Sequence, residues 1–189
     1  MQRPFLVGER LYLRAPELSD ADDLIRWVTR PEVRPFLSRR HPLNRVQEEE
    51  WIRSLRPDKD LVLVIVLTQG DRGIGCIGLH GMSGLDAGAE LGISIGEPDC
   101  WGQGYGKEAI GLVLDHAFDE LGLHRVRLRV WATNPRGIAC YEKLGFVREG
   151  VEREARWANG QWVDNHQMAI LDREWRARRS ERLTWRSSS

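Results

Sequence analysis

Residues 101–109 read WGQGYGKEA, a glycine-rich stretch between the strand pattern AELGISIG at 89–96 and a helix pattern that begins at Gly106. A turn at a helix N-terminus can bind an anion, because backbone N–H groups point outward without partners and the helix dipole adds partial positive charge. Gly102, Gly104 and Gly106 allow positive φ and a close approach of the backbone to a ligand. On its own, the stretch fits either an ordinary turn or a pyrophosphate site.

Two common phosphate-binding motifs do not match this stretch. The P-loop has the form GxxxxGK followed by Ser or Thr, whereas here Trp101 occupies the first position and Glu108 replaces the magnesium-binding hydroxyl. The dinucleotide-binding fingerprint GxGxxG differs as well, because the glycines here are spaced GxGxG and occur in mid-chain. The sequence therefore disfavours a nucleoside triphosphate or a dinucleotide as the ligand.

Hydrophobic periodicity predicts alternating strands and helices on both sides of the glycine-rich stretch. Strand patterns cover residues 6–14, 61–67, 73–83, 89–96, 125–131, 146–157 and 162–171. Helix patterns cover residues 19–30, 46–55, 106–121 and 134–145. Ser19 and Asn134 are the predicted N-caps of the first and last helices, and Asn159 with Gly160 predicts a hairpin turn. This order of elements predicts an α/β (α+β) fold.

Composition predicts a soluble globular protein. The chain has 189 residues, of which 41% are hydrophobic and 30% are charged, with 28 basic and 28 acidic side chains. Because nucleic-acid binders carry a basic excess, this balance predicts no nucleic-acid partner. The apolar run 61–67 is too short to cross a bilayer and the N-terminus does not resemble a signal peptide, which predicts a cytoplasmic protein without membrane contact. Three cysteines without CxxC spacing predict neither disulfides nor a metal site.

The domain organisation is simple, since the sequence contains no internal repeat and no long linker. We expect a single domain over residues 1–175. Residues 176–189 are rich in arginine and end in Ser-Ser-Ser, which predicts a flexible basic tail.

A second motif gives the glycine-rich stretch its context. Together with NPRGIACYEKLGF at residues 134–146, it resembles the GNAT superfamily of N-acetyltransferases. Gly104 and Gly106 match the superfamily pattern Q/R-x-x-G-x-G/A, whose first position is Trp101 here. Trp101 at this position and the opening RLYLRAP at residues 10–16 resemble the corresponding features of one branch, that of ribosomal-protein N-terminal and bacterial spermidine acetyltransferases. The resemblance covers residues 7–172. It implies a GNAT fold, in which a central mixed, mostly antiparallel sheet has a V-shaped splay between two strands and is flanked by helices.

The resemblance also implies a reaction and a co-substrate. Acetyl-CoA would donate its acetyl group to a primary amine by direct attack, the amine being a protein or peptide N-terminus or a small polyamine or aminoglycoside-like molecule. The alternative is a non-catalytic acyl-CoA sensor of the same fold, and relatives of this branch suggest a homodimer. The implied residues that bind acetyl-CoA are Ile93, Ser94, Ile95, Trp101, Gly102, Gln103, Gly104, Tyr105, Gly106, Lys107, Asn134 and Tyr141.

Tyr141 is the first of two predicted catalytic residues. It follows Asn134 by seven residues, so the two lie on one helix face about 10 Å apart along the axis, where an extended ligand could contact both. A tyrosine hydroxyl, with a pKa of about 10, is a weaker acid than a thiol of about 8.5. We therefore expect Tyr141 to stabilise the departing thiolate by a hydrogen bond rather than by full proton transfer. Packing in the core is the alternative role for this side chain.

Glu90 is the second predicted catalytic residue. A base is useful because an alkyl amine with a pKa of about 10.4 is neutral only about once in 10³ molecules at pH 7. Glu90 begins the strand 89–96 on the face opposite Leu91, where it could hold or deprotonate the amine. Its alternative role is an ion pair with an arginine of a neighbouring strand. The resemblance implies a glutamate base five residues before Asn134 in several relatives, but that position is Arg129 here.

Several other residues are candidates for the site. Cys100 and Cys140 could form an acyl-cysteine, but no His–Asp pair accompanies them, so the sequence favours direct attack. Further candidates are His41, His80 and His166 as bases, Trp27, Trp51 and Trp157 as acceptor-pocket walls, and Glu48, Glu49 and Glu50 as attractors of a cationic acceptor. Packing in the core is the alternative for most of the tryptophans. Exposure of at least two of these three glutamates to water is the alternative for that run.

Overall fold

The fold is built on one mixed sheet. A computed structural model describes residues 3–37, 41–84, 86–158 and 160–178. The strands are β1 Leu6–Val7, β2 Leu11–Arg14, β3 Leu61–Leu67, β4 Arg72–Ser83, β5 Gly88–Ile95, β6 Arg125–Trp131, β7 Val147–Ala158 and β8 Gln161–Leu171. Within the described residues they form one sheet in the order β1-β2-β3-β4-β5-β6-β8-β7, in which only β5 and β6 run parallel. This confirms the prediction of a mostly antiparallel mixed sheet.

Helices cover both faces of the sheet. They are α1 Ala21–Thr29, α2 Arg45–Ser54, α3 Tyr105–Asp119, α4 Pro135–Leu144 and α5 Asp172–Ala177. Helix α3 packs through Ile110 and Leu114 into the larger apolar cluster on one face. Helix α1 packs through Leu24 and Trp27 against the other face, in a second, smaller cluster. Apolar side chains therefore pack on both faces of the sheet, in a larger cluster beneath α3 and a smaller one beneath α1.

The N-terminal segment differs from the prediction of a single strand over residues 6–14. The chain reverses after Val7, the Gly8 N–H donates to the Leu11 carbonyl at 2.8 Å, and Leu6 pairs with Leu13. That prediction was wrong because both arms of the hairpin continue the same apolar alternation across a turn with no Asn-Gly or Asp-Gly signal.

The predicted N-cap at Ser19 was also wrong. Ser19 lies inside a short 3₁₀ turn at Leu18–Asp20, and α1 begins after it. Asp20 is the residue before α1, but its side chain makes no capping bond to that helix. Its carboxylate instead accepts the Glu17 N–H at 2.7 Å, which closes the 3₁₀ turn, and pairs with Arg14 at 2.7 Å. A buried guanidinium on β2 therefore holds the turn that precedes the helix, which local spacing does not reveal.

The parallel strands β5 and β6 separate partway along their length. Their pairing runs from Gly88 with Arg125 to Glu90 with Arg127. Beyond these pairs, β5 continues to Ile95 against β4 alone, and β6 continues to Trp131 against β8 alone. The result is the V-shaped splay that the resemblance implied, with its vertex at Glu90.

The C-terminal part of the chain completes the fold. Strands β7 and β8 stay paired up to Ala158 with Gln161, and Asn159 of the predicted turn lies outside the described residues. Arg176 belongs to α5 and donates to the Phe118 carbonyl at 2.9 Å. Residues 179–189 of the predicted tail lie outside the described residues. Among the described helices, none is long and apolar enough to span a membrane.

Candidate functional site

The splay between β5 and β6 opens into a cleft of about 810 Å³. Its walls come from β5, from the N-terminus of α3 and from one face of α4. The predicted site residues that line it are Glu90, Ile93, Ser94, Ile95, Trp101, Gly102, Gly104, Tyr105, Gly106, Lys107, Asn134 and Tyr141. Gln103 is the exception, because its side chain turns back to donate to the Asp99 carbonyl. The tertiary structure thus brings three separate sequence segments to one cavity.

Within the part of the chain that the structure describes, the edge of β5 that faces the cleft carries backbone groups without strand partners. The Gly96 N–H donates to the Ile74 carbonyl on β4 at 2.8 Å. Successive residues of a strand direct their backbone N–H and C=O groups to opposite edges of that strand. The backbone groups of Ser94 therefore face β4, where Ser94 pairs with Cys76, and those of Ile93 and Ile95 face the splay. The Ile95 carbonyl accepts the Trp101 indole N–H at 2.8 Å. Both backbone groups of Ile93 can therefore pair with an extended, amide-containing ligand.

The N-terminus of α3 lies at one end of the cleft. Gly102 and Gly104 adopt φ values of 74° and 85°, a conformation that favours glycine. The first helical hydrogen bond runs from the Glu108 N–H to the Gly104 carbonyl, and among the described residues the N–H groups of Tyr105 and Gly106 have no hydrogen-bond acceptor. The side chains of Lys107, Arg136 and Lys143 line the same cleft. Free backbone donors, the helix dipole and three cations together suit a polyphosphate.

Arg10, which the sequence analysis did not single out, clamps the glycine-rich stretch. Its guanidinium donates to the Gln103 carbonyl at 2.9 Å, pairs with Glu108 at 3.0 Å and lies 4.8 Å from the centre of the Tyr105 ring. These partners are more than ninety residues away along the chain, so no local pattern could have identified the contact. Glu108, which stands where a P-loop has its magnesium-binding hydroxyl, therefore has a structural role.

Glu97 fixes the end of β5 to α1. Its carboxylate, 4% exposed, accepts hydrogen bonds from Arg30, Arg72 and the Trp27 indole at 2.8–3.0 Å, and also from Arg26. Burial acts to raise the pKa of Glu97, but the hydrogen bonds from Arg26 and Trp27 outweigh it and lower the pKa. The proposed place of Trp27 in an acceptor pocket was wrong, because this ring is 2% exposed and belongs to the core.

Tyr141 directs a protonated phenol into the cleft. Its ring packs edge-on against Phe146 with the ring centres 5.8 Å apart. Burial raises the pKa of Tyr141 well above its usual value, with a smaller contribution from Cys140, so the hydroxyl keeps its proton at neutral pH. Among the described residues this hydroxyl has no hydrogen-bond partner. On the same helix, Asn134 acts as the predicted N-cap by accepting the Gly137 N–H at 3.0 Å.

The floor of the cleft near the vertex of the splay carries paired charges. Glu90 accepts a hydrogen bond from Arg129 at 3.0 Å and lies 3.6 Å from Arg127. This is the cross-strand ion pair that the sequence left open as the alternative for Glu90. On the neighbouring strand, His80 stands opposite Glu90, and its Nδ1 lies 3.2 Å from Asp60 Oδ1. His80 on β4, Glu90 on β5 and the two arginines on β6 therefore form a row of basic, acidic and basic groups across three strands.

Both cysteines near the motifs remain thiols. Burial raises the pKa of Cys100, and it also raises the pKa of Cys140 despite the opposing effect of Lys107 and Lys143. A nucleophilic cysteine needs a lowered pKa, so this chemistry agrees with direct attack rather than an acyl-cysteine.

The remaining aromatic candidates divide between the cleft and the surface. Trp51 of α2 lines the cleft. Trp157 is 48% exposed and packs on Trp162 in the β7–β8 hairpin, with the ring centres 5.3 Å apart. Its proposed place in the acceptor pocket was therefore wrong, since the long hairpin carries it outside the cleft.

The acidic run on α2 does not form an acidic wall. Glu48 is 3% exposed, Glu49 is paired with Arg45 and Arg53 on the same helix, and Glu50 is exposed. None of the three lines the described cleft. The idea that they attract a cationic acceptor was wrong. Glu50 and the 23% exposed Glu49 lie at the surface, which agrees with the alternative that two of the three point to water. Consecutive helical residues point in different directions, about 100° apart.

Comparisons with known proteins agree with this geometry. Residues 10–147 match the family model described as an acetyltransferase (GNAT) domain. The N-acetyltransferase p20 of Bacillus licheniformis is 30% identical over 177 residues, which cover 90% of this chain and 97% of that protein. The spermidine N(1)-acetyltransferase of Vibrio cholerae is 36% identical over 98 residues, 52% of this chain and 56% of that protein. A structure of spermidine N-acetyltransferase from Vibrio cholerae in complex with CoA and spermine superimposes with a TM-score of 0.81 at 27% identity, covering 88% of this chain and 98% of that one.

Proposed function

Because the chain belongs to the GNAT family of acetyltransferases and is an N-acetyltransferase, we propose that it transfers the acetyl group of acetyl-CoA to a primary amine by direct attack. The observation that carries this proposal is the unpaired edge of β5 at Ile93, which runs beside the anion-binding N-terminus of α3. Coenzyme A has a matching shape, since its amide-containing pantetheine arm leads to a pyrophosphate.

The pyrophosphate binds at Gly102 to Gly106, where backbone N–H groups and the helix dipole stabilise its charge. Lys107 and Lys143 add positive charge along the same wall. The pantetheine arm extends along β5 and pairs with the backbone of Ile93, and with the N–H of Ile95, because the Ile95 carbonyl is already occupied by Trp101. Ser94 contributes through its side chain, since its backbone pairs with β4.

Two groups act on the thioester. A backbone N–H on the open edge of β5 stabilises the oxyanion that forms when the amine attacks the carbonyl carbon. Tyr141 donates a hydrogen bond to the departing sulfur. Since burial raises the pKa of Tyr141, full proton transfer would be more unfavourable than for an exposed tyrosine, and the strengthening hydrogen bond is the whole of its role.

Glu90 holds the amine rather than deprotonating it. Both carboxylate oxygens already face guanidinium groups, Oε1 that of Arg129 and Oε2 that of Arg127. A carboxylate in this setting can still accept a hydrogen bond from the amine, because each oxygen has two lone pairs. Glu90 therefore orients the acceptor at the vertex of the splay.

The acceptor is a small amine or a peptide N-terminus rather than an internal lysine. The carboxylates of Asp60 and Glu90 are balanced by Arg127 and Arg129, so this floor offers little net attraction to a polycation. We therefore expect kcat/KM for the best acceptor to change less than about threefold between about 50 and about 300 mM salt. A polyamine that uses electrostatic attraction would show a steep decrease instead.

The measurement is acetyl-CoA consumption across polyamines, aminoglycosides, amino acids, short peptides and an internal-lysine peptide. Acetylation of the internal-lysine peptide alone would contradict the proposed acceptor class. Binding of coenzyme A without turnover of any amine would identify a non-catalytic acyl-CoA sensor instead.

We also propose that the chain forms a homodimer through the β7 edge of the sheet. Val147 and Val151 on this edge strand and Trp162 beside it are 47–57% exposed. Edge strands with exposed apolar side chains are surfaces on which another strand can pair. Light scattering at micromolar concentration should give twice the 21.7 kDa chain mass, and Val151→Lys should shift it towards the monomer. A monomeric wild-type protein would overturn this proposal.

A further inference from the structure

We propose that His80 is the base that accepts a proton from the acceptor amine and that Asp60 is its positioning residue. This inference rests on the proposed acetyl transfer to an amine. His80 lies on β4 opposite Glu90 and lines the same cleft as Tyr141, with its side chain 48% exposed. The sequence named it only as one of three histidines, without a reason to prefer it.

The first observation is the orientation of the imidazole. Asp60 Oδ1 lies 3.2 Å from His80 Nδ1 and also accepts the Gly81 N–H at 3.3 Å, so the carboxylate is held in place. A carboxylate at Nδ1 favours the tautomer that carries its proton there, which leaves the lone pair on Nε2. The same carboxylate stabilises the imidazolium after Nε2 takes a proton.

The second observation is the space in which the ring lies. Gly78 and Gly92 are paired across β4 and β5 on the face that carries His80. A Cβ atom at position 78 would lie 3.1 Å from His80 Nε2, and one at position 92 would lie 3.6 Å from the same atom. Glycine within a strand costs stability and often marks a close approach. Because neither glycine has a side chain, the imidazole ring of His80 can lie over the sheet, with Nε2 beside Gly92.

The third observation is the state of the competing groups. Glu90 is engaged by Arg127 and Arg129, whereas within the described residues Nε2 of His80 has no hydrogen-bond partner. The charged groups next to His80 are Asp60, from the segment before β3, and Glu90 of β5. The two arginines of β6 are near His80 because they pair with Glu90. Helix α2 contributes the uncharged Trp51 ring to the same cleft.

The acceptor nitrogen must lose two protons during the reaction, and His80 accepts the first of them. The ammonium form of the acceptor loses one proton to Nε2 of His80, directly or through a water molecule, and His80 releases it to solvent. The amine lone pair then forms the N–C bond to the acetyl carbon, and the C–S bond breaks with its electron pair on sulfur. The second proton lost by nitrogen ends on the thiolate of coenzyme A, which gives the amide and free coenzyme A.

The test compares His80→Gln with His124→Gln, a matched change of an exposed histidine after α3 that lies outside the cleft. With the best acceptor of the wild-type enzyme, kcat of His80→Gln should fall roughly 10- to 1000-fold near neutral pH, with KM for acetyl-CoA unchanged. The deficit should shrink as pH rises towards the amine pKa, because more of the amine is already neutral. Asp60→Asn should lower kcat with KM for acetyl-CoA unchanged, because an amide N–H turned to Nδ1 favours the tautomer that carries its proton on Nε2.

Three results separate the outcomes. Wild-type kcat in His80→Gln, or a loss of equal size at every pH, would overturn the role of His80 while the proposed function stands. Wild-type kcat in Asp60→Asn would overturn the role of Asp60. If the wild-type enzyme binds coenzyme A but acetylates no amine, the proposed function fails and the role of His80 fails with it.

Discussion

Gly104→Asp is expected to lower the affinity for coenzyme A by at least about 100-fold, or about 2.7 kcal/mol. Gly104 is the N-cap of α3 with φ at 85°, a conformation that costs a non-glycine residue about 1–3 kcal/mol. The new carboxylate would enter the site proposed for the pyrophosphate and repel it. The added Cβ would also lie 3.2 Å from Arg10 Nη2 and disturb the clamp on Gln103 and Glu108. Calorimetric titration with coenzyme A measures the change.

The matched control for this variant is Gly70→Asp. Gly70 has φ at 79°, lies in the turn between β3 and β4, and a Cβ there would have no neighbour within 4 Å. It carries the same backbone strain and the same added charge outside the cleft, so its affinity for coenzyme A should match that of the wild type. A folded Gly104→Asp protein with wild-type affinity would refute the assignment of the glycine-rich stretch.

Tyr141→Phe is expected to lower kcat roughly 10- to 1000-fold, or about 1.4–4 kcal/mol of transition-state stabilisation. The substitution keeps the ring against Phe146 and removes only the hydroxyl. Because the hydrogen bond to sulfur strengthens as the C–S bond breaks, the loss should appear in kcat, with KM for acetyl-CoA little changed. Steady-state kinetics at saturating amine measure both quantities.

A tyrosine outside the cleft supplies the control. Tyr12 on β2 donates its hydroxyl to Asp71 Oδ1 at 3.3 Å, so Tyr12→Phe removes one hydroxyl and keeps the ring in the smaller apolar cluster. Its kcat should stay near the wild-type value. Full kcat in Tyr141→Phe would show that the departing thiolate needs no hydrogen bond from this residue.

The sequence by itself determined the parts of this protein that depend on neighbouring residues. The glycine-rich stretch before α3, the Asn134 cap of α4 and the alternation in β6 follow from φ preference, capping and side-chain period, which act within a few residues. The two motifs around Gly104 and Tyr141 together indicated the family, which residues 10–147 confirm.

Contacts between distant segments were decided only by the tertiary structure. Arg10 clamps a stretch more than ninety residues away, and Glu97 joins β5 to Arg26 and Arg30 of the N-terminal region. The hairpin at Gly8 and the burial of Glu48 likewise depend on what packs against them. Asp60 orients the imidazole of His80 from a different segment, twenty residues away. A hydrogen bond or ion pair of this kind requires only that two side chains meet in space, and sheet pairing brings them together without leaving a periodic trace in the sequence.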